Sequence, residues 1–320
     1  MRILVIGAGG MLGAKLVARL ARDGAVGRRE VTHLTRADSM PCSSMAADFD
    51  VETVACDISA PGISDALMAG KPDLIFHLAA VVSGEAERDF DKGYRINLDA
   101  TRYLLEAART AGHCPKIIFT SSIAVFGAPF PDAIADDYFT TPLTSYGTQK
   151  AMGELLLNDY SRRGFVDGVA LRMPTVCVRP GLPNAAASGF FSNIIREPLV
   201  GKPAVLPVDE STRHWFASPR AAVAFLIHAA AMDLSVLCAR RTLTLPGVSC
   251  TVAEQIEALR RVAGDKAVGL ISRVPDPVIA RIVEGWPQKF DAARAIAFGF
   301  EAEADFDMII RSHIVDELGG

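Results

Sequence analysis

The sequence predicts an α/β fold, a doubly wound parallel sheet followed by a smaller C-terminal mixed α/β lobe. Three observations predict it. Short, continuous apolar runs alternate with longer stretches of helical spacing through the first half, as expected of parallel strands buried on both faces. A glycine-rich turn joins the first of those strands to the first helix. After about Pro174 the alternation gives way to Gly- and Pro-rich chain and separately capped helices.

Residues 3–6 form an apolar run ending at Gly7, and residues 11–22 carry apolar side chains at helical spacing. Further strands are expected at 31–34, 51–56, 74–78, 116–120 and 166–171, with helices at 95–111 and 146–163 between them. Gly and Pro are frequent through Pro180–Pro207. Ser218-Pro219 reads as an N-cap followed by proline at the first helical position. Thr251-Val-Ala-Glu254 reads as a capping box opening a helix to Ala263. The expected division is residues 1–173 for the parallel sheet and 174–320 mainly for the second lobe, with some later elements returning to the first.

Composition narrows the function classes. The 320 residues exceed what one hydrophobic core usually organises. Hydrophobic residues make up 50% and charged residues 22%, which excludes disorder. The formal net charge is -4, so no basic excess exists to hold nucleic acid by its phosphates. Six scattered cysteines, Cys42, Cys56, Cys114, Cys177, Cys238 and Cys250, form no C-x-x-C pair and imply no metal. They are expected to be reduced and mostly buried thiols. Lys15 and Arg19 interrupt the apolar N-terminal stretch, and no run is long enough to span a bilayer. A cytoplasmic location without membrane contact is expected.

Gly7-Ala-Gly-Gly10-Met11-Leu12-Gly13 sits between the first strand and the first helix. Glycines at this spacing permit a tight turn, close approach of a pyrophosphate and close helix–strand packing. The helix then offers unpaired N–H groups to phosphate. This is the context of a Rossmann-type dinucleotide site, so NAD or NADP is the expected cofactor. The choice depends on the end of the second strand, where an acid binds the ribose hydroxyls and an Arg accommodates a 2′-phosphate. That strand is expected to end at Thr35-Arg36, without an acid. Arg36 argues for NADP, and Asp38 restores NAD if the loop curls back.

Tyr146-Gly-Thr-Gln-Lys150 puts a phenol and an ammonium one helical turn apart, on one face. The positive charge stabilises phenolate, which lets the tyrosine exchange a proton with a substrate hydroxyl near neutral pH. Residues 117–122 form an apolar strand whose C-terminal end carries Thr120, Ser121 and Ser122, where open α/β sheets place their crevice. Ser122 is positioned to hydrogen-bond a substrate oxygen. The plainer alternative is that these hydroxyls terminate the strand.

Taken together these residues resemble the extended short-chain dehydrogenase/reductases, the NAD-dependent epimerase/dehydratase family. The set is Gly7/Gly10/Gly13, Asp57-Ile58, His77-Leu-Ala-Ala80, Asn97-Leu-Asp-Ala-Thr101, Ser122, Tyr146/Lys150 and Leu171-Arg-Met-Pro174. The resemblance implies Ser122, Tyr146 and Lys150 as the catalytic set. It implies cofactor contacts at Gly7, Gly10, Met11, Leu12, Gly13, Arg36, Asp57, Ile58, Leu78, Ala79, Ala80, Asn97, Tyr146, Lys150 and Pro174. Substrate contacts are implied at Ser83, Ser122, Tyr146 and Arg213. For His77 a core role is preferred to a catalytic one, and the plainer role of Asn97 is a side chain that bonds nearby backbone. The dehydratases of the family carry an Asp-Glu pair after the catalytic hydroxyl, and Ile123-Ala124 stands there in this chain. Dehydration is therefore not expected.

Arg213, in Ser211-Thr-Arg-His-Trp-Phe-Ala-Ser-Pro219, matches a cation of the family's second lobe. One Arg suffices for a carboxylate through bidentate pairing. This segment, Glu284-Gly-Trp286-Pro287-Gln-Lys289 and residues 1–16 resemble the branch that oxidises the C2 hydroxyl of a four-carbon sugar acid such as D-erythronate. Trp215 and Trp286 read equally as pocket or core aromatics. The resemblance implies an NAD(P)-dependent dehydrogenase with a small anionic carbohydrate substrate, and a homodimer through the helices at 95–111 and 146–163. The alternatives are an NDP-sugar 4-epimerase that retains its cofactor and, in another class, a non-catalytic nucleotide sensor.

Overall fold

A computed structural model describes residues 1–181 and 188–319, so part of the Gly/Pro-rich stretch lies outside the described residues. The chain divides into two compact units. The first comprises Met1–Val125, Thr144–Arg172 and Val223–Leu243, and the second Phe126–Leu143, Met173–Ala222 and Thr244–Gly320.

The first unit is built on a seven-stranded sheet. Its strands in chain order are β1 (Arg2–Ile6), β2 (His33–Asp38), β3 (Asp50–Ala55), β4 (Leu74–His77), β5 (Lys116–Ser122), β6 (Asp167–Met173) and β7 (Thr242–Thr244). Their spatial order is β7-β6-β5-β4-β1-β2-β3, and the ladders from β3 through to β5 are parallel. The chain runs outward from β1 to β3 on one side, then returns to β4 on the other. That reversal opens a crevice at the carboxyl ends of β1 and β4.

Five helices cover this sheet or carry residues of the site: α1 (Met11–Asp23), α2 (Ile63–Ala69), α3 (Ser83–Arg88), α4 (Ala100–Ala111) and α5 (Ser145–Arg162). Leu67 and Met68 of α2, Leu104 and Leu105 of α4, and Leu157 of α5 pack on Leu4, Ile6, Ile75, Ile117 and Phe119 of the sheet. Each large apolar side chain so buried contributes about 1.5–3 kcal/mol. The continuous apolar runs of β1 and β4 are thus explained, since both faces of those strands are covered.

The second unit holds a three-stranded sheet in which Arg213–Ala217 pairs antiparallel with Val248–Thr251 and parallel with Thr175–Val176. Ala204–Leu206 and Ile271–Arg273 form a separate parallel pair. Phe191, Ile194, Phe216, Ile256, Leu259, Ile309 and Ile310 make its core. Both helix starts read from the sequence are formed. Ser218 Oγ accepts from Ala221 N at 2.9 Å, and Thr251 and Glu254 close a reciprocal capping box on the helix Val252–Ala263.

Several boundaries differ from the sequence reading. The second strand runs through Asp38 rather than stopping near Leu34, because it pairs with neighbours on both sides as far as Ile6↔Ala37 and Asp38↔Ala55. The helix expected from residue 95 begins as a π-helical turn, Tyr94–Asp99. All six cysteines are free, but only Cys177 and Cys250 are buried. Cys114 and Cys238 are exposed because they sit in left-handed turns outside the packed elements. Among the described residues no helix is long and apolar enough to cross a membrane.

Candidate active site

The glycine turn is held from both sides. Gly7 has φ +91°, and a Cβ there would stand 2.6 Å from Ala79 N and 2.9 Å from the Leu78 carbonyl carbon. A Cβ on Gly13 would lie 2.0 Å from Gly7 O. The turn is thus pressed between α1 and the chain leaving β4, whose Leu78 and Ala79 amides donate to Ile6 O. Gly10 caps α1 with no side-chain hydrogen bond, so the first-turn N–H groups at Met11 and Leu12 are left for an anion. This tight turn, which a Cβ at Gly7 or Gly13 would disrupt, with the first-turn N–H groups beside it, fits a dinucleotide pyrophosphate.

The end of β2 corrects the sequence reading. Arg36, expected at the strand end beside the ribose, lies inside the ladder and is 8% exposed. Its guanidinium donates to Ser43 O at 2.7 Å and to Thr53 Oγ1 at 2.6 Å. Asp38 takes the strand end instead, its carboxylate accepting from Gly9 N and Met40 N, both at 2.8 Å. It therefore touches the glycine turn directly. The signal that locates it is the ladder, which no local pattern in residues 31–38 contains.

Asp57 follows β3 and accepts from Ser59 N at 2.9 Å and from Arg95 Nη1 at 2.9 Å. The Ser59 hydrogen bond, with Arg95 beside it, holds its carboxyl below the usual range. Ile58 is buried with Leu4, Ile6 and Ala37. Leu78, Ala79 and Ala80 leave β4 half-buried, and Ser83 opens α3. Asn97 lies in the π-helical turn. Its amide is fully engaged, accepting from Val81 N at 2.8 Å and donating to Val81 O at 3.1 Å and Gln149 Oε1 at 2.7 Å. Its side chain shapes the turn after β4, which is the backbone-bonding role.

The three residues expected to carry catalysis are placed by β5 and α5. Thr144 caps α5, its hydroxyl accepting from Gly147 N at 3.0 Å. Gly153 lets α5 close on β5, since a Cβ there would meet Phe119 Cζ at 2.9 Å. Lys150, only 2% exposed, spans that contact and donates to Thr120 O at 2.8 Å. Its Nζ stands 4.8 Å from the Phe119 ring centroid and 5.7 Å from that of Tyr146. Burial pushes the ammonium down to about 7, against an upward pull from Glu154. Ser122, the last residue of β5, is half-buried, and its hydroxyl accepts from Ala124 N at 3.1 Å. An accepting hydroxyl keeps its own proton for a further acceptor.

His77 is a core residue. Its Nε2 lies 2.9 Å from Thr101 Oγ1, and burial first, then Lys150, drives it down to about 3. In the second unit, His214 Nδ1 donates to Pro287 O at 2.8 Å while Nε2 accepts from the Thr175 hydroxyl at 2.6 Å. Burial holds His214 near 4. Both histidines have folded values below their ordinary 6.5, so the unfolded chain takes up protons that the folded chain refuses. Their stability contribution is complete above pH about 6.5 and is lost on acidification, at roughly 1.4 kcal/mol per pH unit for each. Thermal melts are expected to fall steadily from pH 6.5 toward 4.5. A flat melting temperature across that window would contradict buried neutral histidines.

Arg213, at the start of its strand, donates to Ser249 O at 3.2 Å and pairs with Glu254 at 3.2 Å. Both side chains are partly exposed. Trp215 is a core aromatic, 7% exposed and donating to Leu245 O, and Trp286 packs on His214 at 5.3 Å. Pro174 is buried between β6 and the strand Thr175–Val176.

Glu154 and Arg172 escaped sequence reasoning, which reads charged side chains as solvated. They form a buried bidentate pair, with Arg172 Nη2 2.8 Å from Glu154 Oε2 and Arg172 Nε 3.0 Å from Oε1. The available signal was spacing, since Glu154 continues the four-residue interval from Tyr146 and Lys150.

The chain is similar to known proteins along nearly its whole length. Residues 3–233 match the model of the NAD dependent epimerase/dehydratase family. The chain is 46% identical to a D-erythronate dehydrogenase of Cupriavidus necator, over 99% of this chain and 98% of that one. It is 41% identical to a D-erythronate dehydrogenase of Haemophilus influenzae, over 98% and 99%. A crystal structure described as the nucleoside-diphosphate-sugar epimerase from Agrobacterium tumefaciens superposes with TM-score 0.98 at 60% identity, covering 100% of this chain and 95% of that one. The chain belongs to the NAD-dependent epimerase/dehydratase family of extended short-chain dehydrogenase/reductases and is an NAD(P)-dependent oxidoreductase.

Proposed function

We propose that this enzyme oxidises the C2 hydroxyl of a small sugar acid, D-erythronate or a near relative, to the 2-keto acid. The observation that carries this reading is near-full-length similarity to two relatives named for that activity. The site chemistry supports it. Ser122 donates a hydrogen bond to the C2 oxygen. Tyr146, as phenolate beside the Lys150 ammonium, removes the hydroxyl proton. Arg213 takes the substrate carboxylate, and Ser83 contacts the sugar. The nicotinamide cofactor, when bound, supplies the hydride acceptor. Gly7, Gly10, Met11, Leu12 and Gly13 hold its pyrophosphate, with Leu78, Ala79 and Ala80 beside them. Asp57 and Ile58 border the adenine, while Lys150 holds a ribose and Pro174 completes the cofactor site.

NAD is favoured over NADP because the carboxylate of Asp38 stands at the end of β2 while Arg36 is spent inside the sheet. A 2′-phosphate there meets a negative charge with no free guanidinium from Arg36. A homodimer belongs to the same reading, with Tyr103 of α4 and Leu155 of α5 left exposed on the two helices expected to meet a second copy.

The description of the solved relative as an epimerase gives a second reading, in which cofactor is retained and no net oxidation occurs. One assay separates them. The protein is incubated with D-erythronate and other tetronic and sugar acids, with NAD and NADP separately, and reduced cofactor is followed by absorbance. NADH is expected to accumulate with a tetronic acid and faster than NADPH. Interconversion of nucleotide sugars with no reduced cofactor from any sugar acid would establish the epimerase instead.

A further inference from the structure

We propose that Glu154 is a positioning residue that keeps the Lys150 ammonium charged, and that Arg172 holds Glu154 in place for that task. The inference rests on the proposed roles of Tyr146 and Lys150 in proton transfer. It goes beyond them in assigning a function to a buried ion pair that touches neither substrate nor cofactor.

Glu154 lies one turn beyond Lys150 and two beyond Tyr146, so the three share a face of α5. It is 3% exposed, and Arg172, near the end of β6, is 7% exposed. The carboxylate receives both guanidinium contacts and a hydrogen bond from the Ser121 hydroxyl. Ser121 directly follows Thr120, whose carbonyl receives Lys150 Nζ. Ammonium and carboxylate are therefore anchored to consecutive residues of β5, which fixes their separation. A buried ion pair adds little stability over apolar side chains of the same size, so stability alone does not account for this one.

Among the described residues, Lys150 Nζ donates to the Thr120 carbonyl and otherwise lies over the Phe119 and Tyr146 rings. A carbonyl and two aromatic faces stand where its hydration shell would be, and desolvation works against its charge. The groups that face it are Tyr146 and Glu154 on its own helix and His77 from β4, which is neutral across the working range. Arg172 acts on it through Glu154. The acids packed near the ends of α5 are engaged elsewhere, Glu87 of α3 by Ser145 N and Glu106 of α4 by the Tyr160 hydroxyl. Glu154 is thus the carboxylate that favours the ammonium, and the ammonium in turn favours the phenolate of Tyr146.

The two partners are expected to act with opposite sign, which a merely structural pair would not do. In Glu154→Gln the buried guanidinium loses the Glu154 carboxylate, and Lys150 loses it too. In Arg172→Met the carboxylate loses its guanidinium and acts on Lys150 with its full charge. The primary readout is ultraviolet titration of phenolate in the cofactor-free protein, taken as the difference between each protein and its Tyr146→Phe counterpart. The Tyr146 transition is expected to move up by about one pH unit in Glu154→Gln and down in Arg172→Met. The acidic limb of kcat/KM should move likewise. The double variant E154Q/R172M removes both charges of the buried pair and should fold even where Glu154→Gln does not, with a smaller upward shift. Glu154→Asp, which keeps the charge, should restore most of the wild-type position.

Transitions unchanged in all variants, or displaced in the same direction in both single variants, would overturn the proposal. So would a wild-type transition in E154Q/R172M. Near-normal turnover in Tyr146→Phe would instead remove the reading of the site on which the proposal rests, so the two failures are distinguishable.

Discussion

Tyr146→Phe is expected to lower kcat for sugar-acid oxidation by roughly 10²–10⁴-fold, the usual worth of a positioned acid–base group. That corresponds to about 3–5 kcal/mol of lost transition-state stabilisation. On the proposed mechanism, the substitution removes the oxygen that takes the C2 proton and leaves the ring. The fold should be untouched, because the tyrosine is half-buried in the first turn of α5 and Thr144 still caps that turn. Cofactor affinity should change little, since the glycine turn and Asp38 are unaltered. Steady-state rates, with cofactor binding measured by fluorescence titration, check both halves. A variant within threefold of wild type would remove the phenol from the mechanism, whatever the substrate proves to be.

Gly13→Ala is expected to destabilise the protein by about 3 kcal/mol or more and to weaken cofactor binding at the same time. Overpacking usually costs about 1–3 kcal/mol because side chains or backbone can yield. Here the new methyl would stand 2.0 Å from Gly7 O and 2.8 Å from Ala8 Cα, both backbone atoms. Gly7 has nowhere to retreat, being held against Leu78 and Ala79 on its other side. Relief therefore requires α1 to lift from β1, which carries its N-terminal N–H groups away from the pyrophosphate cradle. Gly285→Ala is the control, with φ -83° and nothing within 4 Å of its built Cβ, and should be near neutral. Denaturant unfolding and NAD titration of both variants check the prediction. Equal stability of the two would mean that the turn is free to move.

The parts of the fold and site that were legible in the sequence are those whose information is local. Gly7, Gly10 and Gly13, the Thr251 capping box and the Ser218-Pro219 helix start work through atoms within a few residues, so each could be read directly. The proposed catalytic set could be located for a related reason, since Tyr146 and Lys150 sit one helical turn apart and Ser122 ends an apolar strand. His77 and Asn97 also behaved as their chemistry suggested, one a buried neutral imidazole and the other a backbone-binding amide.

The end of the second strand was not legible. Taken alone, Thr35-Arg36 looks like the strand end and Asp38 like loop, and only pairing to β1 and β3 carries the strand through Asp38. That pairing turned Arg36 from a candidate phosphate ligand into a buried sheet residue and placed Asp38 against Gly9. The Glu154–Arg172 pair was invisible for the same reason, because its members lie 18 residues apart and their burial depends on α5 packing over β5 and β6.

By itself, then, the sequence determined the order of strands and helices, the glycine turn and the helix caps, and it placed Tyr146 and Lys150 on one helical face, all of which act over one or two turns of chain. Tertiary structure decided where β2 stops, which charge stands at its end, and what surrounds the buried ammonium of Lys150. Those depend on hydrogen-bond ladders and desolvation, which exist only once distant segments have come together.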